Sequence, residues 1–177
     1  FLPQAWRLGA QKGVSGFLHP EGIYDDPKGG QLRAAVYPRL RAHFQFQNER
    51  ALFPIGNRNK FSINLYATTS ATIGFSNIAN LFMPQTIDGC FMPSDKIVGG
   101  IKNDHDEWNL EGHPDRLLHI DEQLLKLFSQ LYDEEGTPSL EARLPAIHAR
   151  QLIAVLEKFA AQPIRLGDLQ KEYFSTV

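Results

Sequence analysis

The stretch that most constrains the fold runs from Arg39 to Ala67, RLRAHFQFQNERALFPIGNRNKFSINLYA. Phe44 and Phe46 alternate with His43, Gln45 and Gln47. Phe61, Ile63 and Leu65 alternate with Ser62, Asn64 and Tyr66. A period of two sends successive side chains to opposite faces of a pleated strand, so each segment reads as half-buried. The expectation is two adjacent antiparallel strands with Phe44, Phe46, Phe61, Ile63 and Leu65 in the core. The joining segment, Asn48 to Lys60, is long for a hairpin loop. It carries Arg50, Arg58 and Lys60 beside Asn48, Asn57 and Asn59, with Leu52-Phe53-Pro54 in its middle. That apolar knot has two readings: a surface that touches a ligand, or a Phe that tucks the loop onto the core.

Upstream, Pro3 to Lys12 reads as the end of a helix with Trp6 and Leu8 as apolar contacts, stopped by Gly9 or Gly13. Val14 to His19 is a short apolar run of the kind found in buried parallel strands. Gly29-Gly30 closes a flexible turn. Gln31 to Tyr37 follows as a helix with Leu32 and Val36 on one side, bent by Pro38. The order from Val14 to Ala67 is therefore strand, helix, strand, loop, strand.

Residues 71–120 read as an irregular β and loop insertion punctuated by Pro84, Gly89, Pro93 and Gly99-Gly100. Within it Phe75 to Met83 has helical spacing, and Leu117, Leu118 and Ile120 suggest a strand. Residues 121–177 read as helical. Asp121 caps a helix over Glu122 to Glu134 with Leu124, Leu127, Phe128 and Leu131 on one face, and Gly136 ends it. Thr137-Pro138 restarts the chain. A main helix spans Ala146 to Gln162, with Leu152, Val155, Leu156 and Phe159 as its buried stripe.

A formal net charge of −2 excludes a chain that is basic as a whole, so any DNA contact has to be local. Arg39, Arg41, Arg50, Arg58 and Lys60 concentrate in the central stretch. Arginines and lysines position phosphates, while Asn48, Asn57 and Asn59 can serve bases or phosphates. Cys90 stands alone, so no internal disulfide forms and a cytoplasmic setting fits. No apolar run approaches a membrane span, and no membrane partner is expected. His105, Asp106, Glu107, His113, Asp115 and His119 crowd together, but their spacing matches neither HExxH nor a Cys/His zinc pattern. No GxxxxGK[ST] loop and no G-x-S-x-G elbow is present.

At Phe53-Pro54 and the flanking strands, over roughly residues 1–70, the chain resembles the later part of the methyltransferase domain of adenine-N6 DNA methyltransferases. The similarity is to the large single-chain restriction-modification (type IIG-like) group and its phage-defence relatives. There a strand, a Phe-Pro turn and a second strand close a doubly wound sheet, and the aromatic stacks on the adenine flipped out of the DNA. Ile164-Arg165-Leu166-Gly167-Asp168-Leu169 carries a weaker echo of the step into a target-recognition domain.

The resemblance implies an α/β fold: a partial doubly wound methyltransferase-like sheet in residues 1–70, an irregular insertion, and a helical C-terminal part. It implies Phe53 and Pro54 at the base-stacking position. It implies DNA contact by Arg39, Arg41, Asn48, Arg50, Asn57, Arg58 and Lys60. The partner is double-stranded DNA, with other restriction-modification or defence subunits beyond it. The Asn-Pro-Pro-aromatic motif and a Gly-rich S-adenosylmethionine loop are absent from the 177 residues. With Phe1 at its start, the chain reads as a piece of a longer parent that holds the cofactor and the chemistry. No cofactor and no activity are expected of the piece alone. The alternatives are a non-catalytic DNA- or protein-binding module and a metal-dependent nuclease.

Overall fold

Five strands form one mixed sheet in the order β1-β3-β2-β4-β5. They are β1 (Ser15–Pro20), β2 (Leu40–Gln47), β3 (Lys60–Tyr66), β4 (Gly74–Leu81) and β5 (Leu118–Asp121). The computed structural model describes residues 1–164 and Asp168. Between β1 and β2 the chain forms α2 (Gly22–Asp25) and α3 (Gly30–Val36), after an opening helix α1 (Leu2–Leu8). β3 lies between β1 and β2 and runs antiparallel to both. β4 then pairs parallel to β2, and β5 antiparallel to β4. The remaining helices are α4 (Gln85–Cys90), α5 (Glu122–Tyr132) and α6 (Gln151–Ala160). The chain is α/β.

Both faces of the sheet are covered. On one, Tyr66, Phe75, Leu118 and Ile120 pack against Tyr24, Val36 and Tyr37, Leu125 and Phe128 of α5, and the segment bearing Ala142, Leu144 and Ile147. Tyr37 stacks on Phe75 with ring centres 5.7 Å apart. Buried Arg33 clamps this layer, donating to the carbonyls of Glu141, Ile23 and Asp26. On the other face Phe46, Phe61, Ile78, Leu81 and Cys90 form a second cluster, with Phe44, Ile63 and Leu52 against it. Phe46 and Phe61 stack at 5.3 Å. Burying a large apolar side chain of this kind contributes ~1.5–3 kcal/mol.

The alternation in β2 and β3 locates the strands and their antiparallel pairing. Of the expected core set, Phe46 and Phe61 are fully buried, while Phe44, Ile63 and Leu65 are half-buried. Asp121 caps α5 by accepting from the Leu124 amide at 2.9 Å.

Several expectations are corrected. Val14 to His19 is not a buried parallel strand: β1 is an edge strand that pairs antiparallel with β3. Gly29-Gly30 is no flexible turn. A Cβ on Gly29 would lie 2.7 Å from the Arg33 guanidinium, and one on Gly30 equally near the Glu141 carboxylate. On α3, Arg33 is buried beside Val36, and Leu32 is exposed.

Phe75 to Met83 is not helix: it runs in strand β4 as far as Leu81 and then bends. Residues 71–120 therefore contribute two strands to the same sheet as residues 1–70. Thr137-Pro138 leads only into a single 3-10 turn, Ser139–Glu141. α6 starts at Gln151; residues 142–149 before it form no regular element, and the Leu144 amide bonds the Tyr24 carbonyl of α2. Its expected stripe is mostly outside: Leu152, Val155 and Phe159 are exposed, while Ile153 and Leu156 pack on the first cluster. The expected Leu-Gly-Asp-Leu step lies outside the described residues apart from Asp168.

Candidate nucleic-acid interface

The loop between β2 and β3 leaves the sheet at the carboxyl end of β2. In α/β sheets, ligands gather at the carboxyl ends of parallel strands. A 3-10 turn, Asn48–Arg50, begins the loop, and Ala51 follows in the left-handed region with φ 50°. The Asn48 amide donates to the Asn59 carbonyl at 3.0 Å and closes the loop's neck. Leu52 turns inward onto the second apolar cluster. Phe53 stands edge-on to Phe61, ring centres 5.0 Å apart at 87°, and remains 37% exposed. Pro54 and Ile55 are exposed beside it. Phe53 therefore combines both readings: it packs on Phe61, and part of the residue stays exposed.

Arg50, Asn57, Arg58 and Lys60 are exposed on this loop, and among the described residues their side chains make no hydrogen bond or ion pair. Three positive charges stand here against the single carboxylate of Glu49, although the chain as a whole is negative. Arg50 also borders a cleft of about 690 Å³ walled by residues 99–111, including Lys102, Asp104, Glu107 and Trp108.

Of the assigned DNA contacts, two lie away from the loop and a third is buried within it. Arg39 lies over the Trp6 ring at 4.7 Å and donates to the Ala35 carbonyl. Arg41 donates to the carbonyls of Pro38, Leu40 and Thr68. Both sit at the start of β2, on the order of 20 Å from the loop at ~3.3 Å rise per residue. Asn48 is fully buried, and its side chain is spent on the loop backbone. All three side chains engage carbonyls of the local chain, as guanidinium and amide donors do.

Beneath the loop lies a polar network that sequence reasoning missed. Glu21, at the end of β1, meets His43 of β2 at 3.1 Å, with both side chains buried. His43 bonds onward to Asn77 of β4 at 2.7 Å. Gln45 donates to Glu21, and the Gln45 carbonyl oxygen accepts from the Asn80 amide. Tyr24 donates to Asn64 at 2.6 Å and touches the Tyr66 hydroxyl, which reaches His19. The Glu21 amide also bonds the Lys60 carbonyl at the loop's exit. The network thus ties together the carboxyl ends of β1, β2 and β4.

Burial opposes the charge on Glu21, but His43 and the hydrogen bonds from His43, Ser62 and Gln45 prevail. They hold its carboxyl below the usual range. Burial pushes the Tyr24 phenol well up, with Tyr66 and Glu21 adding to it. Burial likewise raises Tyr66 to about 12, against its bond from Tyr24. A signal was available in the sequence: the polar positions His43, Gln45, Ser62 and Asn64 include no Lys, Glu or Asp. A solvated strand face usually carries such charges.

The acidic and histidine-rich stretch at 105–119 does not converge. His113 bonds the Lys96 carbonyl and accepts from the Asp115 amide. Asp115 pairs with Arg150 and Gln151 at the start of α6. Among the described residues no three His, Cys, Asp or Glu side chains come together as metal ligands. No described helix is long and apolar enough to cross a membrane.

No family model, no curated protein and no solved structure matches this chain.

Proposed function

We propose that the chain is the closing, DNA-facing part of the methyltransferase domain of an adenine-N6 DNA methyltransferase of the restriction-modification or phage-defence type. One observation carries this reading: an exposed Phe53-Pro54 on a basic loop at the carboxyl end of β2, where β3 returns between β1 and β2, which run parallel to each other. A sheet closed by an antiparallel hairpin, with the aromatic on its turn, is what the resemblance implies. An enzyme acting on the adenine amino group must take the base out of the stack, and the extruded base needs a flat apolar surface to rest on. Phe53 offers its ring to that base. Arg50, Asn57, Arg58 and Lys60 hold the flanking phosphates.

On this reading S-adenosylmethionine is held by the rest of the parent, since the 177 residues carry no Gly-rich loop of the kind the resemblance implies. The glycine pair that follows a strand, Gly29-Gly30, is filled from within by Arg33 and Glu141 and leaves no cradle. The cofactor and the methyl transfer belong to the rest of the parent.

The test is Phe53→Ala in the full-length parent, followed by methylation of DNA and by the fluorescence of 2-aminopurine at the target position. Stacking on an aromatic is worth ~1–3 kcal/mol per base. Methylation should slow by roughly ten- to a hundredfold, with Phe53→Trp retaining much of the rate. An unchanged rate per folded molecule would reduce Phe53 to a packing residue. A parent that binds DNA through the basic loop but transfers no methyl group would favour the second reading, a DNA-binding module. That reading draws on the loop's local positive charge.

A further inference from the structure

Asn48 is fully buried, yet its side chain faces the loop rather than the core. Its Nδ2 donates to the carbonyls of Phe53 and Ile55, both at 2.9 Å, and to Gly56 at 3.4 Å. Its Oδ1 accepts from the Phe53 amide at 3.0 Å. The backbone of the same residue donates to Asn59 and accepts from the Ala51 amide. One residue therefore holds both peptide groups that flank the Phe53 side chain and closes the loop around them. Only a side-chain amide does this, since it presents a donor pair and an acceptor on one planar group.

We infer that Asn48 is the positioning residue for the Phe53 ring, setting its height and tilt before any base arrives; the inference rests on the base-stacking reading above. The chemistry required of an aromatic platform explains the arrangement. A ring on a free loop would have to be ordered when the base docks, whereas a ring on a pinned loop has been ordered during folding. The edge-on contact with Phe61 fixes one side of the ring. It leaves rotation of the loop backbone to be stopped by something else, and the Asn48 amide supplies that stop at Phe53 itself. Asp at this position would keep the acceptor for the Phe53 amide, lose both donors, and turn a negative charge toward three carbonyl oxygens.

The experiment compares Asn48→Ala, Asn48→Asp and Phe53→Ala with the double variant Asn48→Ala/Phe53→Ala in the full-length parent. Each is read per folded molecule by 2-aminopurine fluorescence in bound DNA and by kcat and KM for DNA. Asn48→Ala should lose the stacking quench and lower kcat by about tenfold, toward the Phe53→Ala value. KM should stay nearly constant, because the phosphate contacts are untouched. The double variant should be no slower than Phe53→Ala alone, since both changes remove one platform. Asn48→Asp should be at least as impaired as Asn48→Ala.

If Asn48→Ala does not fold, Asn48→Ser, which keeps one acceptor, takes its place with the same expectations. Wild-type quench and kcat in an Asn48 variant that is merely less stable would overturn the inference and leave the stacking reading intact. Wild-type quench and kcat in Phe53→Ala would overturn both.

Discussion

Two amide-rich regions of this chain have opposite fates. His43, Gln45, Ser62, Asn64 and Asn77 lie on strands and are buried. They are satisfied by one another and by Glu21 and Tyr24. Asn57, Arg58 and Asn59 on the loop, and Lys60 at the start of β3, lie a few residues away and are exposed. The difference is whether a second layer covers the residue. Over β2 and β3, α2 and α3 bring Tyr24 and Tyr37 down onto the sheet, so polar groups there must pair or destabilise the fold. The loop lies outside that cover, and of its polar side chains only Asn48 is buried. The buried region should therefore respond to mutation and pH as stability. The loop should respond as binding.

Breaking the buried Glu21–His43 contact should be among the largest effects, on a par with emptying the Phe46 site. His43→Ala leaves Glu21 without its partner and should cost about 3–5 kcal/mol in urea denaturation. A double-mutant cycle with Glu21→Ala should show a coupling above ~0.5 kcal/mol. Additive losses would mean that the two residues act separately.

Next come the two phenylalanines on either side of the boundary. Phe46→Ala, fully buried, should cost ~3–5 kcal/mol. Phe53→Ala loses one aromatic contact and a partly buried ring and should cost less than Phe46→Ala, about 1–3 kcal/mol. Equal losses in thermal unfolding would place Phe53 with the core.

The third comparison is in pH. Because Glu21's folded pKa lies below its ordinary value of 4.5, its contribution is present above that value. It is lost as pH falls through the depressed folded value. At the other end, the Tyr66 pKa rises from 10.0 to about 12, so its contribution is present below 10 and lost as pH climbs toward 12. Urea midpoints should fall in both windows. Tyr66→Phe should reduce the alkaline fall and leave the acid one, whereas Glu21→Gln should remove its share of the acid fall and also soften the alkaline one, because the Glu21 charge helps raise Tyr24 and Tyr66.

The smallest stability effect should be on the loop. Arg58→Ala should change stability by less than ~0.5 kcal/mol. It should nevertheless lower the slope of log affinity for DNA against log salt by about one. A slope equal to wild type would remove Arg58 from the phosphate contacts.

β4 shows why part of the fold was illegible. Phe44 of β2 pairs with Ile78 and Phe46 with Leu81, so β4 spends three residues where β2 spends two. Asn80 takes up the extra residue at φ 57°, as a β-bulge does. The bulge converts a period of two into a spacing of three, and a strand with that spacing imitates a helix in sequence. On α6 the failure is different. Its apolar residues do have helical spacing, but the irregular run through Leu144 and Ile147 already occupies the core that they would have filled.

By itself the sequence determined what local chemistry determines: the alternation of β2 and β3, the Asp121 cap, and a basic loop with Phe53-Pro54 at its middle. Each follows from side-chain period or from hydrogen bonds within a few residues. Tertiary structure alone decided which polar residues are inside. It joined Glu21 to His43 across 22 positions, spent Arg39 and Arg41 on nearby carbonyls, and gave Asn48 to the loop backbone instead of a ligand. The physical reason is that burial of a polar group is decided by what packs above it. In β2 and β3 that cover comes from α2, α3 and the 142–149 segment, which one strand's pattern does not encode.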